Sequence, residues 1–386
     1  MDPIYFDHAS TTPVDERVLD AMHPYFTQKF GNASSPHQFG RDSKVAIEDA
    51  RELIASLIGA EPSEIIFTSG GTESDNAAIK GVVQATRKTE ILTSPIEHHA
   101  VIHPAQSLKM RGCRVTYFSP DSSGMITPQQ VAEAITDDTA IVSLMHVNNE
   151  IGTILPIQEI AAVCREKKVP FHSDTVQSAG KLPINVKELG VDALSISAHK
   201  IYGPKGIGIL YVRNGTPWLP WLQGGSQERR RRGGTSNVVG IVGLAKALEL
   251  SVQEMETGQA HLKNLRSVLM SELEDRIPGR YRINGPADGG VPHIVNLCFE
   301  CNSSDPIDGE MLLLNLDIEG ICVSNGSACT SGAVEPSHVL SGIGLPDHLA
   351  KSSIRVSFGK DNTEEEVRFF AEKLQSVLNR MQKISA

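Results

Sequence analysis

The sequence predicts an α/β protein, with a mostly parallel central sheet in a large domain and a second, smaller α+β domain. Three observations lead there. Short β-rich runs alternate with helix-like segments through the first two thirds of the chain, the pattern of crossover units on a parallel sheet. An amphipathic helix precedes them. From about residue 256 the texture changes to long helical stretches with a few mixed strands between them.

Taken in order, Ala46, Ala50, Leu53, Ile54, Leu57 and Ile58 recur at helical spacing over 42–59, and Gly59 stands where a helix would stop. β-Rich runs follow at 65–67, 91–94, 140–146, 169–172, 193–197 and 208–212, with helix-like segments such as 76–86 and 157–167 between them. A polar-faced helical stretch over 255–277 then leads into mixed strands, a small-residue motif at 324–332 and a final helix over 363–381. The domains read from this are 15–255 for the large one, and 1–14 with 256–386 for the small one.

Composition excludes several function classes. The 386 residues carry a formal charge of −10, so the basic footprint needed to displace counterions from nucleic acid is missing. The apolar stretches at 140–145 and 206–212 fall well short of the ~18 residues that span a bilayer. MDPIYFDHAS has no positive start and no apolar core, so no secretory signal is expected and the predicted compartment is cytoplasmic. Six cysteines are too sparse for a disulfide framework, and each is expected as a thiol or a ligand.

Ligands of open α/β sheets collect at the carboxyl ends of the strands, which directs attention to the residues just after each run. TSGGTES at 68–74 follows the first run and leads into a helix expected near Asn76. Its glycines and a helix N-terminus suit a phosphate, although an ordinary capped turn would look the same. Neither a dinucleotide fingerprint nor a Walker loop fits. Asp174 follows the run 169–172, where a helix cap is the bland alternative. Lys200 ends the next one in Ser197-Ala198-His199-Lys200, inside a loop bounded by Gly203 and Pro204. Desolvation there would lower its pKa, which suits a Schiff-base amine; Lys205, past a Gly-Pro turn, is expected to point elsewhere. Ser197 and His199 could hold a phosphate while Lys200 holds an aldehyde. An aldehyde-binding lysine, an aspartate for a pyridinium nitrogen and a Gly/Thr phosphate cup together describe pyridoxal 5'-phosphate.

With these motifs in hand the chain resembles the NifS/IscS-type cysteine desulfurases, in the class V branch of the aspartate-aminotransferase-like fold. The resemblance covers nearly the whole chain, through YFDHASTTP, FGNASSPHQFG, TSGGTESDN, EHHAV, HVNNEIG, SDTVQSAGK, SAHKIYGPKG and SNGSACTSG. It implies that Lys200 carries the cofactor, Asp174 pairs with the pyridinium nitrogen, and His98 stacks on the ring and assists proton transfer. It further implies that Asn149 and Gln177 address the phenolic oxygen, while Gly71, Thr72, Ser197 and His199 hold the phosphate. Thr235 would reach the phosphate of the other subunit of a homodimer, and Arg355, with Asn149, would bind the substrate. Arg229–Arg232 is a longer arginine run than the family shows, and alone it reads as a solvated face.

Cys329 lies among small residues with almost nothing to pack, unlike Cys113, Cys164, Cys298 and Cys322, which read as small buried hydrophobes. An exposed thiol can ionise and attack. The resemblance makes Cys329 the nucleophile that takes sulfur from L-cysteine as a persulfide, leaving L-alanine, with an iron–sulfur scaffold or another sulfur carrier as recipient. A metal site built from Cys298, Cys301, Cys322 and Cys329 is the competing reading. Strand alternation would put Cys298 and Cys301 on opposite faces, so no metal is expected.

Overall fold

The computed structural model describes residues 3–299, 307–326 and 336–384. A seven-stranded sheet runs in the order Ile65–Thr68, Gly208–Val212, Ala193–Ser197, Phe171–Asp174, Thr139–Ser143, Glu90–Thr93, Arg114–Tyr117. Every pairing is parallel except those of Gly208–Val212, which is antiparallel to both neighbours. Six of the strands are buried along their whole length, as a sheet covered on both faces requires. The exception is Arg114–Tyr117, an edge strand with the sequence RVTY and exposed ends. It carries no continuous apolar run, which is why the sequence pattern missed it.

The amphipathic helix runs over Gln38–Ile58, four residues earlier than expected. Gly59 ends it in the left-handed region at φ 72°, donating its N–H to Ala55 and Ser56. The helix after the first strand begins at Gly71 rather than near Asn76, so part of the anticipated loop is helical backbone. Its cap is Gly70 at φ 151°, and a Cβ on Gly208 would lie 2.8 Å from the Gly70 Cα. Two glycines therefore allow the first and second strands to meet at this end of the sheet.

Two large apolar cores are separate. One surrounds the seven-stranded sheet and includes Ile54, Phe171, Leu194, Ile209 and Leu244. The other joins Ile4 and Phe6 to residues from Leu265 to Leu378, around the antiparallel strands Ile354–Ser357, Ile294–Phe299 and Tyr281–Asn284. Ile4–Tyr5 reaches this second core by pairing in parallel with Ile321–Cys322. The helix Met255–Arg276 buries only Leu265, Leu269 and Leu273, one narrow stripe at a spacing of four. That stripe faces the second core, which also contains Val367, Phe370, Leu374 and Val377 of Glu364–Ile384.

Candidate active site

A cavity of about 360 Å³ opens at the carboxyl ends of the parallel strands. Asp174 is the last residue of its strand, Ser197 of the next, and one 3-10 turn, Ala198–Lys200, carries the lysine to the cavity wall. His98, Asn149, Gln177, His199, Gly71, Thr72 and Arg355 line the same space.

Lys200 Nζ donates to the carbonyls of Ala9 (2.5 Å) and Ser10 (2.6 Å). Burial, reinforced by the charges of Arg355 and Lys181, lowers its pKa to about 7, against a weaker pull from Asp7 and Asp174. A lysine in that range is a nucleophile and a base at neutral pH. Asp174 accepts from the Val176 N–H at 2.9 Å, and burial raises its pKa to about 6 although Lys200 opposes the shift. Asp75 beside it is fully buried and raised well above the carboxylate range, by burial first and then by the Asp174 charge. A ring cation against Asp174 would restore its full ionisation.

His98 caps the helix His99–Lys109, accepting from the Ala100 N–H on Nδ1 at 3.1 Å, which leaves the proton of the neutral ring on Nε2. The ring is open to the cavity, yet protein around it and the Lys200 charge push its pKa down to about 4. Gln177 donates Nε2 to the Ala9 carbonyl at 2.8 Å, and its Oε1 has no partner. Asn149 Oδ1 and Arg355 Nε are likewise buried without partners. Three orphaned polar atoms on one cavity wall are the signature of a site built around a polar ligand.

A recess continuous with this wall is formed by Ser69 to Glu73, Ser197, His199, Lys205 and Gly206. It sits on the N-terminus of the sixteen-residue helix Gly71–Thr86, where free N–H groups and the helix dipole favour an anion. A Cβ on Gly71 would come within 2.8 Å of Val176, so only glycine keeps the helix start this close. Lys205 does not point elsewhere: it lines this recess and brings a positive charge to it. His199 pairs Nδ1 with Thr11 Oγ1 at 3.1 Å, and burial and then Lys200 lower its pKa to about 4.

Arg355 is 3% exposed and held by three bonds: to the Asn149 carbonyl (2.8 Å), Asp7 (2.8 Å) and Ser10 Oγ (2.6 Å). Asp7 is a site residue to which the sequence reading gave no role. Its partnership with Arg355 spans 348 residues, so only its place in YFDHASTTP could have marked it. Thr235 is exposed and lies outside the cavity of its own chain. Cys329 and Cys301 lie outside the described residues. On the near side of 327–335, Ser324 and Gly326 line the cavity, and so does His338 on the far side. Among the described residues no cluster of three or more His, Cys, Asp or Glu could hold a metal ion.

The arginine run is not simply a solvated face. Arg229 pairs with Glu48 (3.1 Å), Arg231 donates to the Ile65 carbonyl (3.2 Å), and Arg232 binds both oxygens of Glu73 (2.8 and 3.1 Å). Burial opposes ionisation of Glu73, but Arg232 and the Ser69 N–H hold its pKa below the usual carboxylate range. The loop leading to Thr235 is thereby tied to the helix turn that forms the recess.

A sequence profile described as aminotransferase class-V matches residues 4–370. The chain belongs to the class-V aminotransferase family. Within this family the chain is 48% identical over 384 residues to the cysteine desulfurase IscS of Dictyoglomus turgidum, covering 99% of this chain and 96% of the relative. It is 47% identical to the cysteine desulfurase IscS of Methanosarcina thermophila, covering 99% and 93%. Among solved structures it is similar to a NifS-like protein with a TM-score of 0.90, at 39% identity over 98% of this chain and 99% of that one. A second, SspA in complex with cysteine, gives 0.79 at 37% identity over 93% and 100%. The class-V aminotransferase cofactor is pyridoxal 5'-phosphate, and the wall fits it: an amine for the aldehyde, a carboxyl for the ring nitrogen, and an anion recess for the phosphate.

Proposed function

We propose that this class-V aminotransferase relative is a cysteine desulfurase, which takes sulfur from L-cysteine, leaves L-alanine, and carries the sulfur on Cys329. The observation that supports it best is the meeting, in one cavity, of Lys200, Asp174 and Arg355 with both flanks of the segment bearing Cys329. Relatives described as cysteine desulfurases match across the full chain, and one solved relative holds cysteine.

When bound, pyridoxal phosphate withdraws electrons from the substrate α-carbon, with Asp174 keeping its ring nitrogen protonated. The chain's own residues do the rest. Arg355 orients the substrate carboxylate, for which it must exchange part of its contact with Ser10 and Asp7. Lys200, once its amine is free, takes the α-proton; a pKa near 7 lets it accept and return that proton. Cys329, as thiolate, attacks the substrate sulfur. A sulfur–sulfur bond forms, the carbon–sulfur bond breaks, and its electron pair stays on the three-carbon fragment, which takes up a proton and leaves as alanine. His98, neutral and with its proton on Nε2, stands over the same space to hold or pass a proton.

The reading extends to a cytoplasmic homodimer that hands its persulfide sulfur to an iron–sulfur scaffold or a sulfur-carrier protein. Thr235 of each copy would complete the phosphate recess of the other, and its exposure outside its own cavity is in keeping with that. The two separate cores support a division into 15–255, and 1–14 with 256–386. Incubating the holoenzyme with L-cysteine should release alanine and, with a reductant, sulfide in equal amounts. Transamination of the amino acid without sulfide would assign the chain to the aminotransferase reaction instead.

A further inference from the structure

A second cavity, of about 440 Å³, lies behind the catalytic lysine. Residues 8–10 form the partition: His8 lines the second cavity, while Ala9 and Ser10 line the first. Residues 180–182 and Tyr202, from the part of the chain that builds the seven-stranded sheet, line one side, and Leu262, His293 and Phe358, from the part that builds the second core, line the other. Its size is within the range of small-molecule sites.

Three nitrogens make this more than a packing gap. His293 is 1% exposed and its Nε2 has no partner; His8 is 8% exposed and its Nδ1 has none. Lys181 Nζ makes one hydrogen bond, to the Lys200 carbonyl at 3.1 Å, and among the described residues it has no carboxylate partner. The other ionic groups on the wall are engaged or solvated: Lys360 with Asp15, Glu254 with Arg17, His261 with the Asn362 carbonyl, and Asp361 exposed, although its charge still reaches His8. Unpartnered nitrogens buried beside an uncompensated ammonium are costly unless something fills their hydrogen-bonding capacity.

We propose that this cavity binds a small monocarboxylate with a short aliphatic tail, its carboxylate on Lys181 with His8 and His293, its tail among Leu182, Leu262 and Phe358. One uncompensated cation selects a single negative charge, since a phosphate dianion would be left half neutralised in a poorly solvated site. The apolar walls favour a tail over a bare ion such as formate. Because the ligand would touch residues 180–182 on one side, including the lysine bonded to the Lys200 carbonyl, and Leu262 and Phe358 of the second core on the other, it would stabilise their mutual arrangement. The inference does not depend on the reaction proposed above.

The test is thermal denaturation of the holoenzyme titrated with sodium hexanoate, with sodium chloride and inorganic phosphate as matched controls. A saturable rise in Tm of about 2 °C at ten times the dissociation constant is expected. The rise should vanish in Lys181→Met and in Leu262→Trp, which fills the cavity from the second core, and should persist in Arg355→Ala. Should Lys181→Met not fold, Leu262→Trp decides. The proposal is overturned by a flat titration, by an equal response to phosphate, by an undiminished response in Leu262→Trp, or by loss of the response in Arg355→Ala, which would put hexanoate in the first cavity.

Discussion

Removing the Glu228 carboxylate should destabilise the protein through a residue more than 150 positions away in sequence. Arg51 is 2% exposed; its Nη1 and Nη2 each meet a Glu228 oxygen at 2.9 Å, and Nη1 also donates to the Ile65 carbonyl at 2.9 Å. The guanidinium stacks 4.7 Å from the centre of the Phe67 ring, and the Phe67 N–H donates to Glu228 at 3.0 Å. Burial disfavours the Arg51 charge, but Glu228 more than restores it. Breaking a buried pair from one side costs about 3–5 kcal/mol, and the partly exposed Glu48 carboxylate, 3.4 Å from Arg51 Nε, replaces little of it. Against this, Glu228 sits at φ 45°, and its left-handed strain of about 1 kcal/mol is released once its carboxylate is gone, while Arg229 and Arg231 keep the rest of the segment in place through Glu48 and the Ile65 carbonyl. Glu228→Ala should therefore cost about 2–4 kcal/mol. With an unfolding entropy of about 0.8 kcal/mol/K for a chain of this length, Tm should fall by about 3–5 °C. Calorimetry of the apoprotein measures it, and Arg51→Met combined with Glu228→Leu should recover most of the loss, because an apolar pair replaces the ionic one. A Glu228→Ala variant within 0.5 °C of the parent, or a double variant worse than either single one, would refute the reasoning.

Four further outcomes are expected. Lys200→Ala should abolish the visible absorbance of lysine-bound cofactor, and borohydride reduction with peptide mapping of the parent should label Lys200 and not Lys205, despite the latter's place in the recess. Mixing Lys200→Ala with Thr235→Ala chains should yield hybrid dimers with one intact site and regained activity; verified hybrids without any gain would place Thr235 outside the partner's site. Cys329→Ser should keep the spectral response to L-cysteine while sulfide release falls at least a hundredfold and no persulfide is found on its peptide, because a hydroxyl is a poor nucleophile toward sulfur. Acid should unfold the apoprotein steeply: burial lowers the pKa of His8 and His146 to about 4 and of His172 to about 3. The unfolded chain then binds more protons at these sites between about pH 6.5 and 4, so their contribution to stability, complete above pH 6.5, is lost as pH falls through that window. Asp174, raised to about 6, offsets part of it. Denaturant midpoints that stay constant from pH 7 to 5 would contradict the burial of these rings.

Local chemistry was legible in the sequence wherever a property is carried by neighbours along the chain. Alternation of strands and helices, the Gly59 stop, and the placing of Asp174 and Ser197 at strand ends with Lys200 one turn beyond all follow from short-range spacing and from where parallel sheets present ligands. The helix start at Gly71 was misjudged because TSGG reads as a turn, and only packing of Gly71 against Val176 and of Gly70 against Gly208 shows why helix can begin there. The tertiary structure alone decided the partners of the charges. Asp7 with Arg355, Glu228 with Arg51, Arg232 with Glu73 and Lys205 at the recess over the Gly71 helix start join segments distant in sequence, and a charge carries no local mark of which opposite charge it will meet. The second cavity belongs to the same class: His8, Lys181 and His293 are unremarkable one at a time, and become a site because segments far apart in sequence bring their nitrogens, without protein partners for two of them, to one cavity.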